Sequence, residues 1–177
     1  LDAGITNQDS NWEDQFWQID ALSTEADRAF ILSHTLKTEF HVCTYMKTQL
    51  WSEGKLLNVP VKATETDHKT TLTYSLPLSE NNSVTLIKYG GYVIDRNSPK
   101  EHLKQQAQKE LEKANEIGFD VLLEKHTNEW ANIWERADIQ IGGDVKAQQA
   151  IRFNIFQLNQ TYTGNDAGLN IGPKGFT

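Results

Sequence analysis

Residues 98–101 read Ser-Pro-Lys-Glu, and the hydrophobic pattern of the chain changes at this point. Ser98 is a favourable N-cap, proline is preferred at the first helical position, and Glu101 stands three residues after the cap. The stretch therefore predicts the start of a helix with a capping box. Apolar residues recur with a period of two before it and with a period of three to four after it, so a β-rich part precedes a helical part.

Residues 28–96 have the alternation that is typical of antiparallel strands, in which one face of the sheet is buried. Alternating runs occupy residues 30–36, 40–46, 72–76 and 84–92. Turn-forming residues separate the runs, at positions 52–54, 80–82 and Gly90-Gly91. Since no helix interrupts these runs, we expect an antiparallel sheet packed as a β-sandwich.

Two helices are predicted directly after the sheet. The first covers residues 99–117 and is mostly polar, which favours a solvated connector over a core element. Gly118 is expected to break the chain before a second helix over residues 121–136. The apolar stripe of this second helix includes Trp130, with Trp134 beside it, and we expect both indoles to be mostly shielded by the sandwich or by a helical barrel.

A third helix is predicted to begin behind Asp144, a good N-cap after two glycines. Its apolar residues cover most of its circumference, and the other positions are largely Asn and Gln. Such a helix is buried on more than one side, and buried amides need hydrogen-bond partners. Only residues 163–177 follow it, so we expect this helix to need neighbours that the sequence does not supply.

Composition excludes several classes of partner. The chain has 177 residues, enough for one or two domains, and a net charge of −7, which repels the phosphates of nucleic acids. No apolar stretch approaches the ~20 residues of a membrane-spanning helix, and no signal peptide is evident, so no membrane partner is expected. Cys43 is the single cysteine and cannot form an internal disulfide, which favours a reducing, cytoplasmic location. It is interpreted as a small strand residue.

The acidic residues near the start have two interpretations. Asp9, Glu13 and Asp14 lie beside Trp12 and Trp17. Tryptophans stack on sugar rings, so the group could form a sugar site. The favoured alternative is a charged loop that enters a strand with two packing tryptophans.

The second helix offers a weak metal signal. His126 is the only titratable residue on its apolar side, and its spacing to Glu129 fits a pair of ligands. Zinc requires more ligands than this, so His126 is interpreted as a core or interface histidine, and no metal is expected. Glu129, Glu135 and Asp138 are interpreted as a solvated face.

The final ten residues, GLNIGPKGFT at 168–177, form a Gly-rich loop with one lysine, Lys174. A P-loop fails to match, because its Gly-Lys-Ser/Thr must follow a strand and open a helix. Gly172 and Gly175 permit backbone angles that are closed to other residues. Lys174 either organises the loop through carbonyls, which is favoured, or faces a sugar or phosphate pocket. It is the one candidate substrate-binding residue, and no catalytic residue is assigned.

Three stretches carry a resemblance to a known family. NIWERADIQIGGD at 132–144 and QQAIRFNIFQLNQTYTGNDAGLNIGPKGFT at 148–177 resemble the disaccharide phosphorylases of glycoside hydrolase family 65, most closely those that act on maltose. TNQDSNWEDQFW at 6–17 resembles a segment of their N-terminal β-sandwich. The similarity is strong after residue 126 and loose between residues 50 and 98.

The resemblance implies an architecture and a chemistry. Residues 1–97 would be part of an N-terminal antiparallel β-sandwich, residues 98–137 a helical linker, and residues 138–177 the start of an (α/α)₆ barrel. The family cleaves an α-glucosyl disaccharide with inorganic phosphate as co-substrate and inverts the anomeric carbon. It needs one carboxylic acid, because phosphate is the nucleophile. That acid would lie beyond the position that matches Thr177, so this chain alone would not catalyse the cleavage of the disaccharide.

The resemblance leaves alternatives open. Maltose is the favoured disaccharide, with trehalose or kojibiose as alternatives, and a homodimer is expected because the family is usually dimeric. No cofactor is implied. A β-sandwich can also bind glycans without catalysis, so a carbohydrate-binding or interaction module is the competing function.

Overall fold

The computed structural model of the protein describes residues 15–162 and residue 164. The chain divides into two compact units, Leu1–Phe119 and Asp120–Thr177. The strands are β1 (Trp17–Glu25), β2 (Arg28–Thr35), β3 (His41–Ser52), β4 (Lys55–Leu56), β5 (Val61–Thr66), β6 (Lys69–Tyr74) and β7 (Thr85–Ile94). A 3₁₀ turn at Lys100–His102 is followed by helices α1 (Leu103–Ile117), α2 (Phe119–Ala137) and α3 (Val145–Thr161).

The first unit is built on an antiparallel five-stranded sheet. β2 pairs with β1 on one side and with β3 on the other, and β3 also pairs with β7 and with the short β4. β5 and β6 form a separate two-stranded hairpin. β3 is therefore the central strand of the sheet, and it contributes four buried hydrophobic side chains: Val42, Cys43, Met46 and Leu50.

Different elements cover the two faces of the sheet. On one face α1 lies against β3 and β7, and Lys104 Nζ lies 5.3 Å from the ring centroid of Phe30. On the other face the β5–β6 hairpin packs on β1 and β2, where Tyr74 Oη and Thr48 Oγ1 form a 2.6 Å hydrogen bond. The antiparallel sandwich expected from the sequence is confirmed, and helices follow it as expected.

Helix α1 is a core element, which corrects its interpretation as a solvated connector. Leu103, Ala107 and Leu111 are fully buried, with 0% exposure. They recur every four residues, so they form one stripe along the helix. Because the stripe is only one residue wide, the polar side chains on the rest of α1 dominate its average composition and conceal the buried face.

The start of this helix also differs from the prediction. A 3₁₀ turn occupies Lys100–His102, and the α-helix begins only at Leu103. Neither the 3₁₀ turn nor the α-helix has a side-chain hydrogen bond at its N-cap, so the predicted capping box is not formed. The break at Gly118 is confirmed, because its backbone adopts a φ of +81° that an L-residue rarely tolerates.

Several features of the sheet escaped the sequence interpretation. β1, β4 and β5 lie outside the alternating runs that the sequence indicated, although a strand was expected to follow the charged loop before Trp17. Gly90-Gly91 was expected as a turn but lies inside β7, where it pairs with Met46 and Tyr45. A glycine pair can mark a turn, but it can also mark a position where two neighbouring strands approach each other closely.

The helical unit contains most of α2 and all of α3. Asp144 caps α3, and its side chain accepts hydrogen bonds from the backbone N–H groups of Lys146 and Ala147, as predicted. No residue of α2 is buried, and in α3 only Ile155 is. The large exposed fractions confirm that α3 carries apolar surface beyond what the described chain covers: 83% for Val145, 57% for Phe153 and 69% for Leu158.

The division into two units falls inside the predicted linker at residues 98–137. The assignment of residues 1–97, 98–137 and 138–177 to sandwich, linker and barrel stays a prediction. Across the described residues, every helix is too short or too polar to cross a membrane.

Candidate functional site

Two of the candidate sites fall outside the described residues. The acidic group Asp9, Glu13 and Asp14 with Trp12 is one of them, and Lys174 is the other. Both stay predictions. Trp17 is described: it is the first residue of β1, is half-buried and pairs with Thr35 of β2.

Cys43 and His126 are both described. Cys43 is a buried residue of β3, and burial raises its thiol pKa to about 11, so its interpretation as a small strand residue is confirmed. His126 lies exposed on α2, with its ring edge-on to Trp130 at 6.4 Å between centroids. The core part of the interpretation is therefore wrong, because α2 has no buried residue. The interface part stays a prediction.

An aromatic cluster connects α2 and α3 in the helical unit, and we define it as Trp130, Trp134 and Phe156. Trp130 stacks on Trp134 with centroids 6.1 Å apart, and on Phe156 at 5.0 Å. The interplanar angles are 30° and 29°. Both indoles are half-buried, so neither is fully exposed, and offset stacks of this kind stabilise helix pairs beyond the area they bury.

A bidentate ion pair lies beside this cluster. Arg152 Nε donates to Asp138 Oδ1 at 2.8 Å, and Arg152 Nη2 donates to Asp138 Oδ2 at 2.6 Å. The hydrogen bonds from Arg152 lower the pKa of Asp138, and the carboxylate in turn raises the pKa of Arg152. Asp138 is therefore a paired residue and not part of a solvated acidic face, whereas Glu129 and Glu135 are exposed as expected.

Trp134, Asp138 and Arg152 together line an open pocket of about 300 Å³. An indole face beside fixed polar groups is a chemistry that suits a sugar hydroxyl or ring. Both charges are already satisfied by each other, however. The arrangement is therefore suited to holding the chain between α2 and α3 and is not a source of a free acid or base.

An amide of α3 fixes the segment that connects the two helices. Gln148 Nε2 donates to the carbonyl of Ile139 at 2.8 Å, and the N–H of Ile141 donates to Gln148 Oε1 at 2.6 Å. Further along α3, Asn159 Nδ2 donates to the carbonyl of Ile155. These two amides thus have partners, and they position the entry and the end of α3.

The described residues contain one further cluster, which the sequence interpretation missed. Asp20, His34 and His41 each offer a ligand atom, and these atoms all lie within 4.8 Å of one another. The signal for it was weak, because the residues are spread over three strands and follow no ligand-spacing motif. Only the strand register brings them together.

Comparison with known proteins identifies the family. Residues 1–133 match the domain described as "Glycosyl hydrolase family 65, N-terminal domain". Maltose phosphorylase from Bacillus subtilis is 34% identical over 100% of this chain and 23% of its own length. α,α-Trehalose phosphorylase from Thermoanaerobacter brockii is 31% identical over 88% of this chain and 20% of its own length.

The structural comparison agrees with the sequence comparison. A solved structure described as a candidate kojibiose phosphorylase from the human microbiome superposes with a TM-score of 0.80 and 26% identity, covering 99% of this chain and 22% of that one. The chain thus spans less than a quarter of the length of these relatives. Since the family domain covers three quarters of the chain and the fold agrees over nearly all of it, this chain belongs to glycoside hydrolase family 65.

Proposed function

We propose that this chain is part of a disaccharide phosphorylase that cleaves an α-glucosyl disaccharide with inorganic phosphate. The products are β-glucose 1-phosphate and a free sugar, with inversion at the anomeric carbon. The relatives in the comparison support this reaction class, because they are phosphorylases of maltose, trehalose and kojibiose.

Maltose is the disaccharide that we propose. The observation that carries this choice is the extent of the match to maltose phosphorylase, which covers the whole chain. The match to trehalose phosphorylase covers 88% of the chain, and the match to a kojibiose phosphorylase from Caldanaerobacter subterraneus covers 56%.

In this proposal the chain supplies scaffold and the catalytic acid lies elsewhere. An inverting reaction with phosphate as nucleophile needs one general acid on the leaving oxygen and no second carboxylate. In the described residues the α2–α3 aromatic cluster and the Asp138–Arg152 pair hold the middle of α3 against the end of α2. α3 leads towards residues 168–177, which we propose as the rim of the active site. No residue of this chain is proposed as catalytic.

Lys174 is proposed as a residue of that rim. The favoured role is structural, with the ammonium hydrogen-bonded to loop carbonyls. The alternative is contact with sugar or phosphate, for which lysine acts as a point charge. Lys174→Ala in the protein at its natural length separates the two roles. A raised KM for phosphate at unchanged Tm supports the ligand role, and a lowered Tm at unchanged phosphate dependence supports the structural one.

The reaction is tested by offering maltose, trehalose and kojibiose separately to the protein at its natural length, with and without phosphate. We expect glucose 1-phosphate from maltose only, in the β form by NMR, and no release without phosphate. Phosphate-independent glucose release would contradict phosphorolysis. Sugar binding without any turnover would instead favour the non-catalytic carbohydrate-binding module.

Assembly and location are proposed with the same function. We expect a homodimer, a cytoplasmic location, and no cofactor besides the co-substrate phosphate. Light scattering of the protein at its natural length measures the assembly. A monomer that retains full turnover would contradict the dimer.

A further inference from the structure

The sheet brings two histidines and two aspartates together at one end of the β2–β3 hairpin. His34 and His41 are direct partners in the final pair of the β2–β3 register. Asp20 lies at an irregularity in the pairing of β1 with β2, and Asp95 follows directly after β7. The cluster is therefore a product of the sheet and not of a local sequence motif.

Each imidazole is paired with its own carboxylate. His34 Nδ1 lies 2.8 Å from Asp20 Oδ1, and His41 Nδ1 lies 2.9 Å from Asp95 Oδ2. The two rings face each other at 5.3 Å between centroids, with an interplanar angle of 32°. The four side chains are between 15% and 26% exposed, although Asp20 as a whole residue is exposed. The cluster is therefore partly shielded and open to small solutes.

Asp95 has the role of an orienting group. Its Oδ2 accepts two hydrogen bonds from His41, one from the backbone N–H and one from the ring Nδ1–H. These two hydrogen bonds fix the Asp95 carboxylate against the ring of His41. With Nδ1–H donated to Asp95, the lone pair of His41 is on Nε2, which is the usual arrangement behind a metal-ligating histidine.

The donor set matches a particular class of ion. Two imidazoles and one carboxylate suit Zn²⁺ and other first-row transition metals, whereas Mg²⁺ and Ca²⁺ prefer oxygen ligands only. In a tetrahedral zinc site the ligand atoms lie about 3.3 Å apart. The ligand atoms of Asp20, His34 and His41 lie within 4.8 Å of one another, so ion binding would require them to approach by up to about 1.5 Å.

We propose that Asp20, His34 and His41 bind one Zn²⁺-class ion, with Asp95 as the positioning residue for His41 and water in the remaining coordination position. Metal binding would replace the proton shared within the Asp20–His34 pair and join β1, β2 and β3 at this end of the sheet. The site would stabilise the first unit. It does not depend on the proposed phosphorylase activity, because it lies in the sheet and is read out without sugar or phosphate.

The test uses the protein at its natural length, stripped with EDTA and titrated with Zn²⁺ by calorimetry and thermal unfolding. We expect a binding event that raises Tm, because the ion binds the folded state. His34→Gln and His41→Gln should each abolish this event and the Tm increase. Asp95→Asn should weaken binding by about 10–100-fold, as orienting groups do. His68→Gln, in the exposed β5–β6 turn, is the matched control and should bind like wild type.

Substitution by Co²⁺ provides a second readout, since its visible absorption reports imidazole and carboxylate ligation in a four-coordinate site. If His34→Gln or His41→Gln fails to fold, Asp20→Asn and Asp95→Asn carry the test. The proposal is overturned if wild type shows no Zn²⁺-dependent event at about 100 µM. It is also overturned if the event survives unchanged in the folded His and Asp variants.

Discussion

Tyr45 and Gly91 are direct partners across the β3–β7 pairing, and the phenol of Tyr45 occupies the space that a side chain at residue 91 would fill. A Cβ on Gly91 would lie 2.6 Å from Tyr45 Oη and 2.9 Å from Cζ. Both distances are far below carbon–oxygen and carbon–carbon contact distances. The glycine thus permits a tyrosine to lie across the neighbouring strand.

Gly91→Ala should destabilise the first unit by about 1–3 kcal/mol, the usual cost of forcing an added methyl group into a packed site. Urea unfolding followed by tryptophan fluorescence measures the loss. Gly142→Ala is the control, because a methyl group there meets nothing within 4 Å and should change little. Adding Tyr45→Ala should reduce the cost of Gly91→Ala. Equal effects of Gly91→Ala with and without Tyr45 would contradict the steric explanation.

Leu111→Ala tests whether α1 belongs to the core. Leu111 is fully buried on the stripe that faces the sheet, so its truncation should cost about 2–5 kcal/mol of unfolding free energy. Glu116→Ala on the exposed side of the same helix should have an effect within about 0.5 kcal/mol. The measurement is again equilibrium unfolding. If Leu111→Ala were as mild as its control, α1 would be a connector after all.

The change from a strand-rich part to three successive helices could be predicted from the sequence, because it depends on local periodicity and on breakers such as Gly118. The errors arose where tertiary contact decides. The buried face of α1 is one residue wide, so its polar composition predicted a connector. Gly90-Gly91 has turn chemistry, but the ring of Tyr45, which no local pattern locates, gives the pair its role within a strand.

In the candidate sites, too, local features could be predicted from the sequence, whereas contacts between distant residues could not. Asp144 was predicted as an N-cap because capping depends on residues two and three positions away. The pairing of Asp138 with Arg152 was not predicted, because the partners lie 14 residues apart on different elements. The proximity of His34 to His41 and Asp20 depends on strand register, which a single sequence does not fix where turn and alternation signals are weak.

Cys43 should be inert in the folded protein. Burial raises its thiol pKa from 9.0 to about 11, although the positive charge of Lys104 acts to lower it. At about pH 8 the thiolate fraction is then roughly 100-fold below that of an ordinary thiol, and the thiolate is the reactive form. Iodoacetamide labelling, with the Cys43 peptide quantified by mass spectrometry, should therefore require denaturant. Labelling of the native protein at the rate of free cysteine would show that β3 is not buried.

Because the pKa of Cys43 is raised on folding, its contribution to stability is complete below pH 9.0 and is lost as pH rises towards about 11. Cys43→Ala should remove this alkaline dependence. The stability difference between wild type and Cys43→Ala is measured by urea unfolding on both sides of pH 9.0. A difference that stays constant across this range would mean that the thiol titrates alike in the folded and unfolded chain.

The Asp138–Arg152 pair should stabilise the helical unit in a pH-dependent way. Hydrogen bonds from Arg152 lower the pKa of Asp138 below its ordinary value of 3.8, and partial burial only weakens this effect. A carboxyl group whose pKa is lowered on folding contributes stability above the unfolded pKa, and this contribution is lost as pH falls through the folded pKa. Asp138→Asn should therefore lower Tm at neutral pH, and the difference from wild type should decline as pH falls below about 3.8.

The effect of Asp138→Asn should be small, since the side chain of Arg152 is 49% exposed and solvent screens the pair. It should shrink further at about 1 M salt, where the screening length falls to ~3 Å. Glu129→Gln, at an exposed position of α2, is the matched control and should show no comparable pH-dependent difference. If the Tm difference for Asp138→Asn persisted at low pH and high salt, neutral hydrogen bonding or packing beside Trp134, and not charge, would be its cause.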